Sequence, residues 1–242
     1  MSLIEIVTHC WAKDLPHYAA CLNFQVSSLV LHKPVHASLC LSICYCHEDA
    51  NTMKVIDWAS SVLQEKGIAY SLQPLKRNEI GRRSIGRNRV ASNCIGDIVW
   101  FADVDQVWKN GIFDRLATME WPEGTVMIYP KSIQIHRDHE TGDRCTSAVD
   151  LNALDLVDVD PNLFVDKRYR KAIGGVQIVR GDFAREHGYL DGIDKWQQPT
   201  GKPFGDFRDD IAYRNFCLQY GKIERIDLPG MFRIRHSTTT YQ

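Results

Sequence analysis

Residues 97–108 read DIVWFADVDQVW, and this stretch decides how the chain is organised. Ile98, Val99, Trp100 and Phe101 are four consecutive bulky apolar residues. Such a run reads as a strand buried on both faces, the kind found in parallel sheets. It ends in two carboxylates one residue apart, Asp103 and Asp105. In open α/β sheets ligands gather at the carboxyl ends of the strands. Two anions held close repel each other, and a bound hard cation resolves that conflict. A nucleophile with its acid, or a pair of solvated loop charges, are the other two readings of the same pattern.

Working outward, residues 3–8 read as a strand, 15–29 as a helix and 37–46 as a second strand. Residues 52–66 carry Val55, Ile56, Ala59, Val62 and Leu63 at helical spacing, and Gly67 ends them as a C-terminal cap. A strand at 68–75 and a helix at 85–94 lead into the strand at 97–102. Strand alternating with helix predicts a parallel α/β fold with crossover helices on both faces of the sheet. Its carboxyl edge would gather residues 8–11, 47–49 and the Asp103–Asp105 pair.

The later part changes character. Residues 124–130 read as a strand. Residues 131–171 are long, charged and weakly periodic, which reads as a functional or mobile loop. Within it Asp158 and Asp160, running into Pro161, form a second acidic pair that reads as a turn. A strand at 172–179, a short helix at 183–187, a helix at 209–220 and short strands at 223–227 and 231–234 complete the pattern.

The chain has 242 residues, enough for one large domain. Lys plus Arg is 29 and Asp plus Glu 30, a net charge of −1, so no global field attracts nucleic acid or anionic lipid. An anionic ligand therefore needs a local device. Arg82, Arg83, Arg87 and Arg89 are one candidate, because guanidinium pairs bidentately with phosphate. The eight cysteines include no CxxC pair and read as buried reduced thiols. A metal site at Cys44, Cys46 and His47 is the sharper alternative, but it lacks a second ligand pair. The N-terminal MSLIEIVTHCW is neither a signal nor a transit peptide. No apolar run approaches the roughly 20 residues of a membrane helix. A cytoplasmic location is expected.

IVWFADVDQV also fits the phosphatase signature of haloacid-dehalogenase-like enzymes, and GDFRDD (205–210) resembles their later acid cluster. Two features oppose that reading. The acid cluster should follow an apolar strand, yet polar, proline-broken WQQPTGKP precedes it. The first acidic pair should open the domain, yet three strand–helix units come before it.

Four segments together resemble a family 2-type glycosyltransferase of GT-A fold: GRNRVASNCIGDIVWFADVD (86–105), GGVQIVRGDFAREHGYLDG (174–192), RDDIAYRNFCLQYG (208–221) and RIRHS (233–237). The resemblance implies one domain, 1–242. Residues 1–105 would be its nucleotide-sugar-binding half and 106–242 its acceptor-binding and catalytic half, built as a mostly parallel, Rossmann-like nucleotide-binding sheet with helices on both faces and a smaller mixed acceptor-side region. It implies a nucleotide-sugar donor, a UDP-sugar first, and transfer to a glycan, lipid-linked or small-molecule acceptor with no nucleic acid partner. Asp103 and Asp105 would hold Mn2+ or Mg2+, with His236 completing the coordination and favouring Mn2+. Asp105 would be the direct ligand and Asp103 would lie nearer the ribose. Arg87 would lie near the nucleotide. Thr8 would contact the nucleoside, and Glu48 or Asp49 would recognise the base. Gly174 and Gly175 would let backbone approach the sugar. Asp210, in the pair Asp209–Asp210, would be the general base of an inverting reaction. The acceptor would enter along 188–202, near Trp196. A non-catalytic nucleotide-sugar-binding module is the remaining alternative.

Overall fold

The computed structural model describes residues 1–13, 16–109, 111–199 and 208–237. The start of the first expected helix (Leu15), the GDF of the GDFRDD motif and the end of the expected acceptor segment lie outside them.

In chain order the elements begin with β1 (Ser2–Cys10), α1 (His17–Leu31), β2 (Ala37–Cys46), α2 (Ala50–Glu65) and β3 (Ala69–Leu75). Then come α3 (Arg77–Ile80), α4 (Arg83–Ala91), β4 (Ile98–Phe101), β5 (Gln106–Trp108), α5 (Ile112–Thr118), β6 (Thr125–Pro130) and β7 (Ser132–His136). The chain continues through α6 (His139–Ser147), β8 (Phe164–Arg168), β9 (Gln177–Arg180), α7 (Gly181–His187), α8 (Asp194–Gln197) and α9 (Asp209–Cys217). It closes with β10 (Lys222–Ile226) and β11 (Met231–Arg233). Local chemistry sets several boundaries. Asp49 caps α2 by accepting from the Asn51 amide, and Gly67 follows that helix at φ +64°, where a side chain would be strained.

The main sheet has seven strands in the order β10-β6-β9-β4-β1-β2-β3. β3, β2, β1 and β4 run parallel, β6 pairs parallel with β10, and β9 runs antiparallel between β4 and β6. The expected mostly parallel α/β sheet is the one observed. Its first four strands come from residues 2–101, and β6, β9 and β10 from the later part. A second, mixed sheet of four strands, β5-β11-β7-β8, stands beside it.

β4 holds the core together on both of its faces. Trp100 and Trp108 cross edge-to-face at 5.5 Å and meet Phe113. On the opposite face Phe101 meets Tyr189 at 4.8 Å and Tyr213 at 5.5 Å, and those two tyrosines stack at 3.9 Å. Strand side chains alternate between faces, so consecutive aromatics serve two separate clusters. The acid in the first strand is also accounted for. Glu5, 3% exposed, accepts from the Ser42 hydroxyl and from the amides of Ile95 and Gly96.

Three expectations need correction. Residues 131–171 are not one loop: β7, α6 and β8 lie within them. β8 exposes four of its five residues and takes its shape from pairing with β7, so apolar periodicity could not reveal it. Residues 172–179 do not form one strand, since a 3-10 turn at Gly174–Val176 precedes β9. Thr8 is not at the end of β1, which runs two residues further; it is fully buried, and its hydroxyl has no hydrogen-bond partner among the described residues. The turn expected at Asp158 and Asp160 is present, with Asp160 capping a 3-10 turn through the Asn162 amide.

Candidate functional site

β4 ends at Phe101, level with Val7 of β1, and Asp103 and Asp105 follow it at the carboxyl edge. The amide of Gln106 donates to the Asp103 carbonyl at 3.2 Å and closes a turn between them. Gln25, fully buried on α1, braces this turn from below, its Nε2 donating to the carbonyls of Asp103 (3.0 Å) and Gln106 (3.1 Å). β5 then pairs antiparallel with β11, setting Gln106 opposite Arg233. That pairing delivers the C-terminal segment to the acidic turn, and the Ile234 amide donates to the Asp105 carbonyl at 2.8 Å.

The two carboxylates do not face each other unscreened. Asp103 Oδ1 accepts from Arg83 at 2.7 Å and from Arg87 at 3.3 Å. Burial alone would raise the Asp103 carboxyl, but Arg83 and then Arg87 outweigh it and hold it below the ordinary carboxylate range. Asp105 Oδ2 accepts from Arg233 Nε at 2.8 Å and lies 3.7 Å from His236 Nε2. Asp105 Oδ1 is buried and has no partner among the described residues.

Around these groups lies a cavity of about 130 Å³, bordered by His9, Tyr18, Arg83, Arg233 and His236 opposite the acids. His9 is 7% exposed, and neither ring nitrogen makes a well-formed hydrogen bond, although the Arg83 backbone lies near. Burial, with Arg87 and Arg83 beside it, pushes its pKa well below the usual value, so the ring is neutral. His17 stacks on His236 with ring centroids 3.9 Å apart.

β9 enters this edge antiparallel, Gln177 level with Phe101, which places Gly174 and Gly175 beside Asp103. Trp100 Nε1 donates to the Gly175 carbonyl at 3.1 Å. A Cβ on Gly175 would sit 2.0 Å from Gln106 Nε2 and 2.8 Å from Asp103 Oδ2; on Gly174 the nearest atom would be an Arg83 nitrogen at 3.4 Å. The N-terminus of α9 packs against the same turn. Asp210 Oδ2 accepts from the Gly174 amide at 2.9 Å and Oδ1 from the Ile211 amide at 2.8 Å. Asp209 is 2% exposed, with Oδ1 3.6 Å from Arg83 and Oδ2 lacking a partner among the described residues. Arg87, fully buried, also donates to the Tyr189 hydroxyl at 2.9 Å.

The structure therefore brings Asp103, Asp105, His236, Arg87, Gly174, Gly175, Asp209 and Asp210 to one edge. It does not bring Asp49 there as a free acid. Asp49 is buried, and its oxygens serve the Asn51 amide, the Ala12 amide and the Thr52 hydroxyl. Glu48 is exposed. Of the four clustered arginines, Arg83 and Arg87 reach the site; Arg82 lies over the Trp196 ring at 5.1 Å and Arg89 pairs with Glu79 at 2.6 Å. Cys44, Cys46 and His47 do not assemble as ligands: Cys44 is buried, its thiol pushed up to about 12 by desolvation, and His47 is exposed. Sequence reasoning placed His9 at the carboxyl edge, within residues 8–11, without giving it a role, and it missed Tyr18, Gln25 and the role of Arg233. The only available signals were the position of His9 just past the apolar run of β1 and that of Arg233 three residues before His236.

A metal has a partial fit. No group of three or more His, Cys, Asp or Glu side chains among the described residues is arranged to hold one. There is a pair, however. His236 Nδ1 lies 3.4 Å from the Ser237 carbonyl, so with its proton there the Nε2 lone pair faces the Asp105 carboxylate, whose Oδ1 is unpartnered. Two acceptors turned toward each other suit a cation between them.

No family model and no curated protein sequence matches the chain. Solved structures do resemble it. One is the mannosyltransferase PcManGT from Pyrobaculum calidifontis in complex with GDP-Man and Mn2+, at TM-score 0.57 and 9% identity over 96% of this chain and 56% of that one. Another is S. aureus TarS 1–349 in complex with UDP, at TM-score 0.57 and 10% identity over 96% of this chain and 60% of that one. The chain thus spans a little over half the length of these two structures. At this identity the likeness is one of fold, and the fold is the GT-A type of nucleotide-sugar glycosyltransferases. No helix among the described residues is long and apolar enough to cross a membrane.

Proposed function

We propose that the chain is a metal-dependent glycosyltransferase that moves a sugar from a nucleoside-diphosphate sugar, a UDP-sugar first, to an acceptor hydroxyl with inversion. The observation that carries this reading is the pair Asp103 and Asp105, presented at the carboxyl edge of the sheet into a cavity whose other polar and charged lining is His9, Tyr18, Arg83, Arg233 and His236.

The donor's diphosphate meets Arg83 and Arg233, whose guanidinium groups can each release part of their bonding to a carboxylate and fork onto phosphate oxygens. Neutral His9 offers one N–H and one lone pair to the nucleotide. Gly175, lacking a Cβ, lets Gln106 and Asp103 pack against its backbone and so holds the acidic turn in place. Asp105 and His236 would hold Mn2+ or Mg2+, with Asp103 alongside; when bound there the metal offsets charge on the departing diphosphate as a Lewis acid. Asp210 is partly exposed, and one backbone N–H on each oxygen orients it while leaving lone pairs free. It takes the acceptor's proton as the acceptor oxygen bonds to the anomeric carbon. The bond from that carbon to the diphosphate oxygen breaks, and the nucleoside diphosphate leaves. Asp209 anchors Arg83 rather than acting on the acceptor.

Donor turnover with Mn2+ tests the proposal. It should collapse in Asp105→Ala and in EDTA, and full activity in EDTA would sink it. Asp210→Asn should lower turnover by about 10² to 10⁴ with donor affinity unchanged. Release of phosphate from an aryl phosphate, abolished in Asp103→Asn, would instead favour the phosphatase reading. Donor binding without turnover on any acceptor would favour a binding module.

A further inference from the structure

A second cavity, of about 260 Å³, lies on the same edge of the main sheet and is lined by Lys131, Ser132, Arg168, Arg225 and Asp227. Three separate segments each bring one cation to it. Lys131 sits at the junction of β6 and β7, Arg168 ends β8, and Arg225 is on β10, level with Tyr129 of β6.

Their backbones are tied together. The Lys131 amide donates to the Ile226 carbonyl at 2.7 Å, and its carbonyl accepts from the Tyr169 amide at 2.9 Å. Ser132 pairs with Arg168 across the β7–β8 ladder, and the Tyr129 hydroxyl donates to the Arg170 carbonyl at 3.1 Å. Among the described residues the three cationic side chains make no ion pair. Asp227, the one acid lining the cavity, turns to Arg115 at 3.6 Å. Lys167, Arg170 and Lys171 extend the charge, so four of residues 167–171 are basic in a chain of net charge −1. Three exposed cations gathered around one cavity with a single acid suit an anion that joins them.

The placement relative to the acidic turn says which anion. β6 and β10 run parallel to β4, two and three strands away, so their carboxyl ends lie roughly 10 and 14 Å from that of β4 on the same edge. Tyr169 lies between. It is 6% exposed, its hydroxyl has no hydrogen-bond partner among the described residues, and Arg233 lies near enough to work against the burial that raises its pKa. The cavity thus lies beyond the acidic turn on the β6–β10 side of the sheet and is separate from the arginines that face Asp103 and Asp105.

We propose that this cavity is a subsite for a phosphate group carried by the acceptor, held by Lys131, Arg168 and Arg225 about 10 to 14 Å from the acidic turn. Guanidinium forks on two sides and an ammonium on the third match the oxygens of a phosphate ester. The proposal rests on the glycosyltransferase reading for the word acceptor, but the phosphate site itself does not depend on it.

The test is titration of the whole chain with glycerol 3-phosphate and, separately, with UDP plus Mn2+. It compares the native protein, the double variant Arg168→Gln/Arg225→Gln, and Lys54→Gln as an exposed-cation control. The expected result is glycerol 3-phosphate binding about tenfold weaker in the double variant alone, UDP affinity within about twofold throughout, and no displacement of the ester by UDP. Equal ester binding in all three proteins, or displacement by UDP, overturns the proposal. Arginine-dependent ester binding in a protein that does not bind UDP would sustain the phosphate subsite and remove the donor reading. Arginine-dependent sedimentation with phosphatidylglycerol vesicles, but not with phosphatidylcholine alone, would place the phosphate on a lipid headgroup. Ester binding without such sedimentation would place it on a soluble or polymeric acceptor.

Discussion

Arg233 Nε donates to Asp105 Oδ2 across 2.8 Å, and the β5–β11 ladder holds together these two segments, 128 residues apart in sequence. The bond neutralises one oxygen of a carboxylate only 3% exposed and leaves the other, Oδ1, without a partner among the described residues. Asp105 raises the pKa of Arg233 against the effect of burial, so this cation persists at every accessible pH.

Arg233→Met should therefore strand a buried carboxylate. Removing one member of such a pair is costly, and with Arg233 partly exposed the loss should be about 2 kcal/mol in urea unfolding without metal. Millimolar Mn2+ should restore much of it by binding the folded state. A variant equally destabilised with and without Mn2+ would argue against a cation at Asp105.

Gly175→Ala should be severe and Gly174→Ala mild. The first puts a methyl group 2.0 Å from Gln106 Nε2 and 2.8 Å from Asp103 Oδ2, whereas the second meets only an arginine end at 3.4 Å. Overpacking of this kind costs about 1–3 kcal/mol. Thermal unfolding with and without UDP plus Mn2+ should show Gly175→Ala losing both stability and ligand-induced shift. Equal behaviour of the two variants would contradict the geometry.

Gln25→Leu removes the brace beneath the acidic turn while keeping the side chain's bulk. The carbonyls of Asp103 and Gln106 each lose a donor, a loss of about 1–3 kcal/mol. Because both carbonyls flank the candidate ligands, nucleotide affinity should fall as well. Destabilisation with unchanged nucleotide affinity would show that the turn keeps its shape without the brace.

Three histidines should make stability fall on mild acidification. Burial lowers His136 to about 4; burial and His236 lower His17 to about 4; His9 lies well below its usual value. Between pH about 6.5 and 4 these groups bind protons in the unfolded chain but not in the folded one, so stability rises with pH there. Each contributes up to roughly 1.4 kcal/mol per pH unit within that window. His136, fully buried against Phe164, is the cleanest probe. His136→Phe should flatten the slope of unfolding free energy against pH, and an unchanged slope would show that His136 is not its source.

The first half of the molecule was legible because its signals are local. The apolar runs of β1, β2 and β4, the helical spacing of α2 and Gly67 as its cap specify parallel α/β units, whose carboxyl edge must hold Asp103 and Asp105. The second half was not, because β7 and β8 are strands by virtue of pairing with each other, and β5 by virtue of pairing with β11. Spacing alone presents Asp103 and Asp105 as a repelling pair waiting for a cation. Tertiary structure decided that Arg83 and Arg87 meet one of them and Arg233 the other, through contacts 16 to 128 residues apart in sequence. It also decided that Asp49 is a cap, that His9 is a neutral neighbour of the site, and that three scattered cations share one cavity. Periodicity and capping act within a few residues of sequence, whereas charge pairing acts through space and exists only once the sheets have brought distant segments together.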